Sequence, residues 1–371
     1  MTPSIGVNNL GVDTNVFNES ESPKSDFTVT ITPAVATRLR FGPARLDVKL
    51  LATYLYYAQY SNQRGWSTDD GVRIQVDSTY LRPWAGGSYR NLWDRPGYEI
   101  DQRVRHTETA VSGGVDLLPS ELTTLGVSVS RVRTEFESGD TIGGYPLNRG
   151  LNRTTTVGTA SLRYALTPFT TVVMAADVVH ERFEFSSFRD SDGFRLVPGV
   201  EFAPSALITG SAHVGFRLLR ALTAGMPDYA GPVASVSLGY TLKENTRFAV
   251  GVRRDIEYSF EATQPYYLLT GVTGSVRQAV GGPWSVEVRA STQHLDYQTI
   301  DSTLLPGLGS TDLQTRAGRV DIVRSYGGGV GYTLGPSTLL GVNVDYSTRH
   351  SEFDVRQYQG LRVGGSLTYG F

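Results

Sequence analysis

The chain has 371 residues and no cysteine, which excludes disulfide staples and thiolate metal sites. It has no apolar run near the ~18 to 20 residues that a membrane-spanning helix requires. An excess of one charge is missing too: 34 Lys and Arg stand against 36 Asp and Glu, a formal net charge of -2. The charges are dispersed, with no basic tract of the kind that tracks a phosphate backbone, so no nucleic-acid partner is expected. The first residues carry neither the basic nor the apolar segment of a secretory leader. The expectation is a mature or trimmed form with Met1 added.

What is present is 41 Gly, 20 Tyr and 15 Phe. Tyr and Phe favour strands and membrane interfaces, and Gly permits tight turns and close backbone approach. Mean hydropathy is only -0.19. A transmembrane barrel hides its apolar content, because every second strand residue meets lipid and the others meet water.

Alternation of period two runs through most of the chain. Leu46, Val48, Leu50, Ala52, Tyr54 and Tyr56 share one parity, against Arg45, Asp47 and Lys49. Val72, Ile74 and Val76 oppose Arg73, Gln75 and Asp77, and Trp284, Val286 and Val288 oppose Ser285, Glu287 and Arg289. Such alternation marks strands with one apolar face. The chain ends with Leu361, Val363, Gly365, Leu367, Tyr369 and Phe371 on one face, opposite Arg362, Gly364, Ser366 and Thr368. Leu367, Tyr369 and Phe371 form the C-terminal signature of an outer-membrane barrel.

Connections come in two kinds. Short ones fall at 40–44, 82–83, 119–121, 167–169, 203–205, 243–246, 281–283 and 335–337; longer, more polar ones fall at 61–71, 137–152, 219–231 and 299–319. The pattern predicts strands over 3–14, 26–39, 45–59, 71–81, 84–92, 103–117, 122–136, 153–166, 170–184, 193–203, 206–218, 232–242, 247–259, 265–279, 284–297, 321–334, 338–350 and 360–371. Short turns at one rim and long loops at the other is a membrane-barrel rhythm. No separate plug domain is visible. Because a sheet edge cannot lie bare in hydrocarbon, the first strand, with Ile5 and Val7, is expected to pair with the last.

Four stretches carry a resemblance: 11–18 (GVDTNVFN), the terminal 360–371, the central Phe202–Gly215 region, and Ser259-Phe260 with Pro265, Tyr266 and Tyr267. Through them the whole chain resembles the family of β-barrel porins found in exopolysaccharide gene clusters. The resemblance implies an outer-membrane pore for secreted polysaccharide or other solutes, and no catalytic motif.

Strand parity assigns a lumen wall that includes Arg45, Lys49, Arg73, Asp77, Arg163, Glu201, Arg217, Arg247, Arg277, Glu287, Arg289, Asp345 and Arg362. Either these form a charged ladder that screens solutes, or they pair across strands and fill a solvated interior. Most aromatics near strand ends, Tyr80 and Trp84 among them, read as interfacial girdle. Tyr57 and Tyr267 have lumen parity and are the candidates for sugar stacking. His350 with Ser351, and His180 with Glu181, are neighbours on a strand and so point to opposite faces, which makes no Ser–His pair. Asp69, Asp70, Asp190 and Asp192 read as solvated loop carboxylates without calcium-loop spacing. The run 327–331 (GGGVG) lies inside a strand with no Lys or helix after it, so it is not a phosphate loop; its glycines are expected to let the sheet bend.

The reading is an all-β fold: a single domain over 1–371 forming a transmembrane antiparallel up-and-down β-barrel of about 18 strands, with 16 as the alternative count. The expected function is passive passage of hydrophilic solutes or secreted polysaccharide, with no enzyme activity, cofactor or metal. The alternatives are a closed structural or binding barrel and, less favoured, a hydrolase at His180 or His350. Expected partners are outer-membrane lipid, the barrel-assembly machinery and periplasmic polysaccharide-export components, and both termini are expected in the periplasm.

Overall fold

Residues 2–301 and 318–370 are described by the structure, a computed structural model. In chain order the strands are β1 Thr2–Asp13, β2 Asp26–Phe41, β3 Ala44–Tyr57, β4 Gly65–Val76, β5 Leu81–Asp94, β6 Val104–Leu117, β7 Thr123–Phe136, β8 Thr141–Ile142, β9 Tyr145–Pro146, β10 Arg153–Thr167, β11 Thr170–Phe183, β12 Ser191–Phe202, β13 Ile208–Ala221, β14 Tyr229–Leu242, β15 Thr246–Tyr258, β16 Tyr266–Gly281, β17 Trp284–Gln298, β18 Val320–Thr333, β19 Thr338–His350 and β20 Tyr358–Tyr369. β8 and β9 form a small hairpin inside one loop, followed by the short helix α1, Leu147–Leu151. The other strands form one 18-stranded antiparallel sheet, so the 16-strand count is set aside.

Each strand pairs with the next, and β1 pairs with β20, with Ile5 opposite Tyr369 and Val7 opposite Leu367. The closed ring leaves no bare edge, the condition under which strands can cross hydrocarbon. Apolar parity in β1 shifts from Ile5 and Val7 to Leu10 and Val12, and a bulge between Asn8 and Gly11 absorbs the shift. The extra residue re-aims the strand so that both apolar pairs face out. Phe371 lies outside the described residues, as does most of the connection at 299–319.

The two faces separate as the alternation requires. Leu50, Val127, Val288 and Val342 are among many large apolar side chains left exposed on the outside, the surface lipid covers. Ion pairs mark the inside. Arg289 of β17 reaches Asp345 of β19 at 2.6 Å, and Arg195 of β12 reaches Asp255 of β15 at 3.4 Å. Side chains that bridge over one or two intervening strands must lie on the concave face.

Glycine makes room for such bridges. A Cβ on Gly327 of β18 would strike Asp345 Oδ1 and come within 2.7 Å of Arg289 Nε. The 327–331 run therefore clears space for lumen side chains, where the sequence suggested only bending of the sheet. Prolines sit where a ladder is interrupted. Pro33 falls in a gap of the β2–β3 register, Pro198 in a gap between β12 and β13, and Pro83 just beyond the first β4–β5 pair, Gln75 with Trp84. At such places the missing N–H costs no ladder bond.

One turn differs from expectation. The β4–β5 turn lies at 77–80, and Arg82-Pro83 belongs to β5. Asp77 therefore sits in a turn at the rim and not on the wall, bonded by Gln75 Nε2 at 2.6 Å. The expected long loop at 61–71 is largely β4, and Asp69 and Asp70 are strand residues.

Substituting Gly11→Val should open the seam. Its Cβ would run into the Val363 carbonyl oxygen and lie 2.6 Å from Gly364 Cα. Overpacking of this kind costs about 1–3 kcal/mol or more. The expected outcome is a lower urea midpoint in detergent and loss of the heat-modifiable gel band; an unchanged midpoint would show that the seam does not hold the ring closed.

Candidate functional site

The lumen is the site, and it is built from two parts: a wall of ion pairs and a segment folded across one mouth. Residues 95–103, between β5 and β6, begin with Arg95-Pro96-Gly97, and Gly97 has φ +69°. A Cβ there would be strained and would lie 3.2 Å from the Tyr267 hydroxyl. The Pro–Gly pair turns the chain inward. Ile100 is then buried with Val104, Phe136, Leu147, Leu151 and Phe260, so an apolar anchor holds the segment down.

Polar groups bolt the segment to the far side of the barrel. The Glu99 carboxylate accepts from Ser259 Oγ at 2.7 Å and from the Phe260 backbone N–H at 3.1 Å. Arg356 donates to the Glu99 carbonyl oxygen. Arg349 donates to Asp101 at 2.8 Å and to the Tyr98 carbonyl at 3.2 Å, and its other Nη donates to Asp321 at 2.5 Å. Asp321 also accepts from Arg319 at 2.7 Å and Ser351 Oγ at 2.6 Å. Arg189 donates to the carbonyls of Gly150, Ser259 and Glu261 at 3.1, 2.5 and 2.7 Å. Buried ions survive only with partners such as these.

Burial sets the titration of the bolts. It raises the Glu99 carboxyl above the ordinary glutamate value, opposed by the nearby Arg356 charge and reinforced by Glu261. It raises Asp101 as well, against the pull of Arg349 and Arg356. Arg189 is pushed down to about 10 by burial and stays charged at neutral pH.

Along the wall, the residues assigned inward by parity, Asp77 aside, lie on the face that carries the ion pairs, and most are paired. Arg163 pairs with Glu201, and Arg277 with Glu287 at 2.6 Å. Arg217 pairs with Asp255 at 2.6 Å, Arg362 with Asp13 at 2.6 Å, and Lys49 with Asp69 at 2.9 Å. Arg38 and Arg45 share Asp47 at 2.5 and 2.9 Å. Arg73 and Arg247 have no ion-pair partner among the described residues. Arg73 instead lies over the Trp84 ring, 3.8 Å from its centroid. Trp84 is thus a lumen residue, not part of the girdle; moving the turn to 77–80 leaves its parity inward.

Tyr57 and Tyr267 face inward but are 3% and 2% exposed. Tyr57 packs with Val16 and Leu55 and accepts from Arg103 at 3.0 Å, while Tyr267 packs with Leu269, Leu295 and Tyr297. Neither ring offers a free face for a sugar. His180 lies on the outer face beside Asp192 at 2.7 Å, Asp192 belonging to β12 and not to a loop. His350 is exposed on that same face, whereas the Ser351 hydroxyl is committed to Asp321. The crossing of the mouth by 95–103 has little local signature in the sequence beyond an isoleucine flanked by two acids after Pro–Gly.

A vestibule of about 810 Å³ lies above the segment, lined by Phe17, Tyr145, Phe260, Val355 and Arg356 among others. A space of about 150 Å³ lies against it, lined by Gly97, Glu99, His106, Glu257 and Tyr267 among others.

Comparison with known proteins adds to this geometry. The Pseudomonas aeruginosa porin OpdK, solved with vanillate, superposes with a TM-score of 0.52 at 10% identity over 99% of this chain and 97% of its own. A BenF-like porin from Pseudomonas fluorescens Pf-5 gives 0.51 at 12% identity, and P. aeruginosa OccK2 (OpdF) with glucuronate gives 0.51 at 11%, each over 99% of this chain and 97% of that one. At these identities the likeness is one of fold. No curated protein sequence matches the chain. The family model described as Putative beta-barrel porin 2 matches residues 1–371, and the chain therefore belongs to that family of outer-membrane β-barrel porins.

Proposed function

We propose that the barrel is a narrow channel for small hydrophilic solutes, with the short turns and both termini in the periplasm and the long loops outside. The observation that carries this reading is the segment 95–103, which crosses the mouth and is bolted to the opposite wall through Glu99 and Asp101. A polysaccharide in transit needs an uninterrupted bore, and this segment stands in it. The neighbours solved with vanillate and glucuronate, both small carboxylates, are consistent with passage of small molecules. Transport here is passive: solutes exchange bulk water for a hydrated wall of fixed charges, and no covalent chemistry is required.

A closed barrel is the second reading, favoured by the near-complete burial of Glu99 and Arg349. Single-channel recording in planar bilayers separates the two. Discrete conductance steps, together with liposome swelling in monosaccharides but not in long oligosaccharides, are expected. Swelling in both at equal rates would overturn the size filter, and absence of steps would favour the closed barrel. Replacing 97–101 by a short Gly-Ser linker should raise the conductance severalfold.

The bolts also predict a pH response. Glu99 has its folded-state pKa raised, so its contribution to docking is full below the ordinary glutamate value and is lost as pH rises through the raised one. Asp101 shifts in the same direction. Open-channel current should therefore increase from acid toward alkaline pH, and Glu99→Gln, which keeps the shape without the charge, should flatten that increase. An identical pH profile in the variant would remove Glu99 from the docking account. Arg349→Met leaves the buried Asp321 and the half-buried Asp101 without this partner and should cost about 3–5 kcal/mol, read as a lower urea midpoint in detergent.

A further inference from the structure

Small side chains line the wall between β2 and β6. Ala36, Gly71, Gly86, Ser88, Ala110 and Ser112 open a recess of about 740 Å³ there. That volume lies within the range of small-molecule sites, roughly 300–1,000 Å³.

Its charge is unbalanced. Arg38, Lys49, Arg73 and Asp47 line it. Asp47 is already shared by Arg38 and Arg45, and Asp69 by Lys49 and Arg90, which also reaches Glu108. Arg73 has no ion-pair partner among the described residues and rests only on the Trp84 ring. The surplus positive charge favours an anion, and a guanidinium fork suits a carboxylate. The part of the indole that Arg73 leaves uncovered offers an apolar surface, and Ser88, Ser112 and Thr2 offer hydroxyls to a ring substituent.

Resting on the reading of the barrel as a solute channel, we propose that this recess is a binding subsite for a carboxylate carried on a six-membered ring. The carboxylate meets Arg73 and Lys49, and the ring lies against Trp84. Both sugar acids and aromatic acids have this chemistry, and the test distinguishes them.

The experiment uses the full chain in detergent and follows tryptophan fluorescence on adding glucuronate, benzoate or neutral glucose. The other tryptophans, Trp66, Trp93 and Trp284, have lipid-facing parity, so a ligand-dependent change reports on Trp84 and should vanish in Trp84→Phe. Saturable quenching by either acid, with glucose silent, supports the subsite, and the acid that acts identifies the source. Quenching by glucose equal to that by the acids, or no quenching by any of the three, overturns it. Arg73→Gln should weaken the acid about tenfold or more. Gly71→Leu should fill the recess; a Cβ there meets nothing closer than 3.9 Å, so folding is expected and is checked by the heat-modifiable band. Wild-type affinity in both variants also overturns the subsite. Single-channel conductance, measured in parallel, tests the channel reading separately: steps without acid binding remove the subsite alone, and binding without steps removes the channel alone.

Discussion

The ladder between β1 and β20 is the contact on which the rest of the molecule depends. An open sheet of this size would leave two rows of backbone groups unpaired in hydrocarbon, at several kcal/mol for each unsatisfied group. Once those edges meet, every strand has two neighbours and the alternation of side chains becomes a division between lipid and water. The bulge near Asn9 is part of that closure, since without it Leu10 and Val12 would turn their apolar side chains into the lumen.

The lumen solves a second problem, the accommodation of many arginines inside a cylinder. Several long cations, Arg163, Arg217 and Arg289 among them, reach across an intervening strand to a carboxylate, and β18 carries glycine where Arg289 passes. Gly327 beneath Arg289 and Asp345 is the clearest case. Paired in this way, the charges contribute little net attraction for a solute. The exceptions matter more: Arg73 and Arg247, for example, have no carboxylate in contact among the described residues.

The period-two pattern made most of the barrel legible. Strand number, the parity of Arg163 or Glu287, and the pairing of the first and last strands follow from local chemistry that alternates residue by residue. Arg82-Pro83 misled because proline is a turn signal, yet at the end of a ladder it removes no bond. That error displaced the turn from 77–80 and turned Asp69 and Asp70 into apparent loop residues. Trp84 looked like girdle because an aromatic near a strand end suits either face. The segment 95–103 was the least legible, since its partners Ser259, Asp321, Arg349 and Arg356 lie far away in sequence and no local pattern announces them.

Those distant partners impose an order in time. Glu99 and Asp101 lie far in sequence from Ser259, Arg349 and Arg356, and the receptors for them exist only after the C-terminal strands are in place. The obstruction across the mouth can therefore be seated only once the cylinder has brought those strands opposite it.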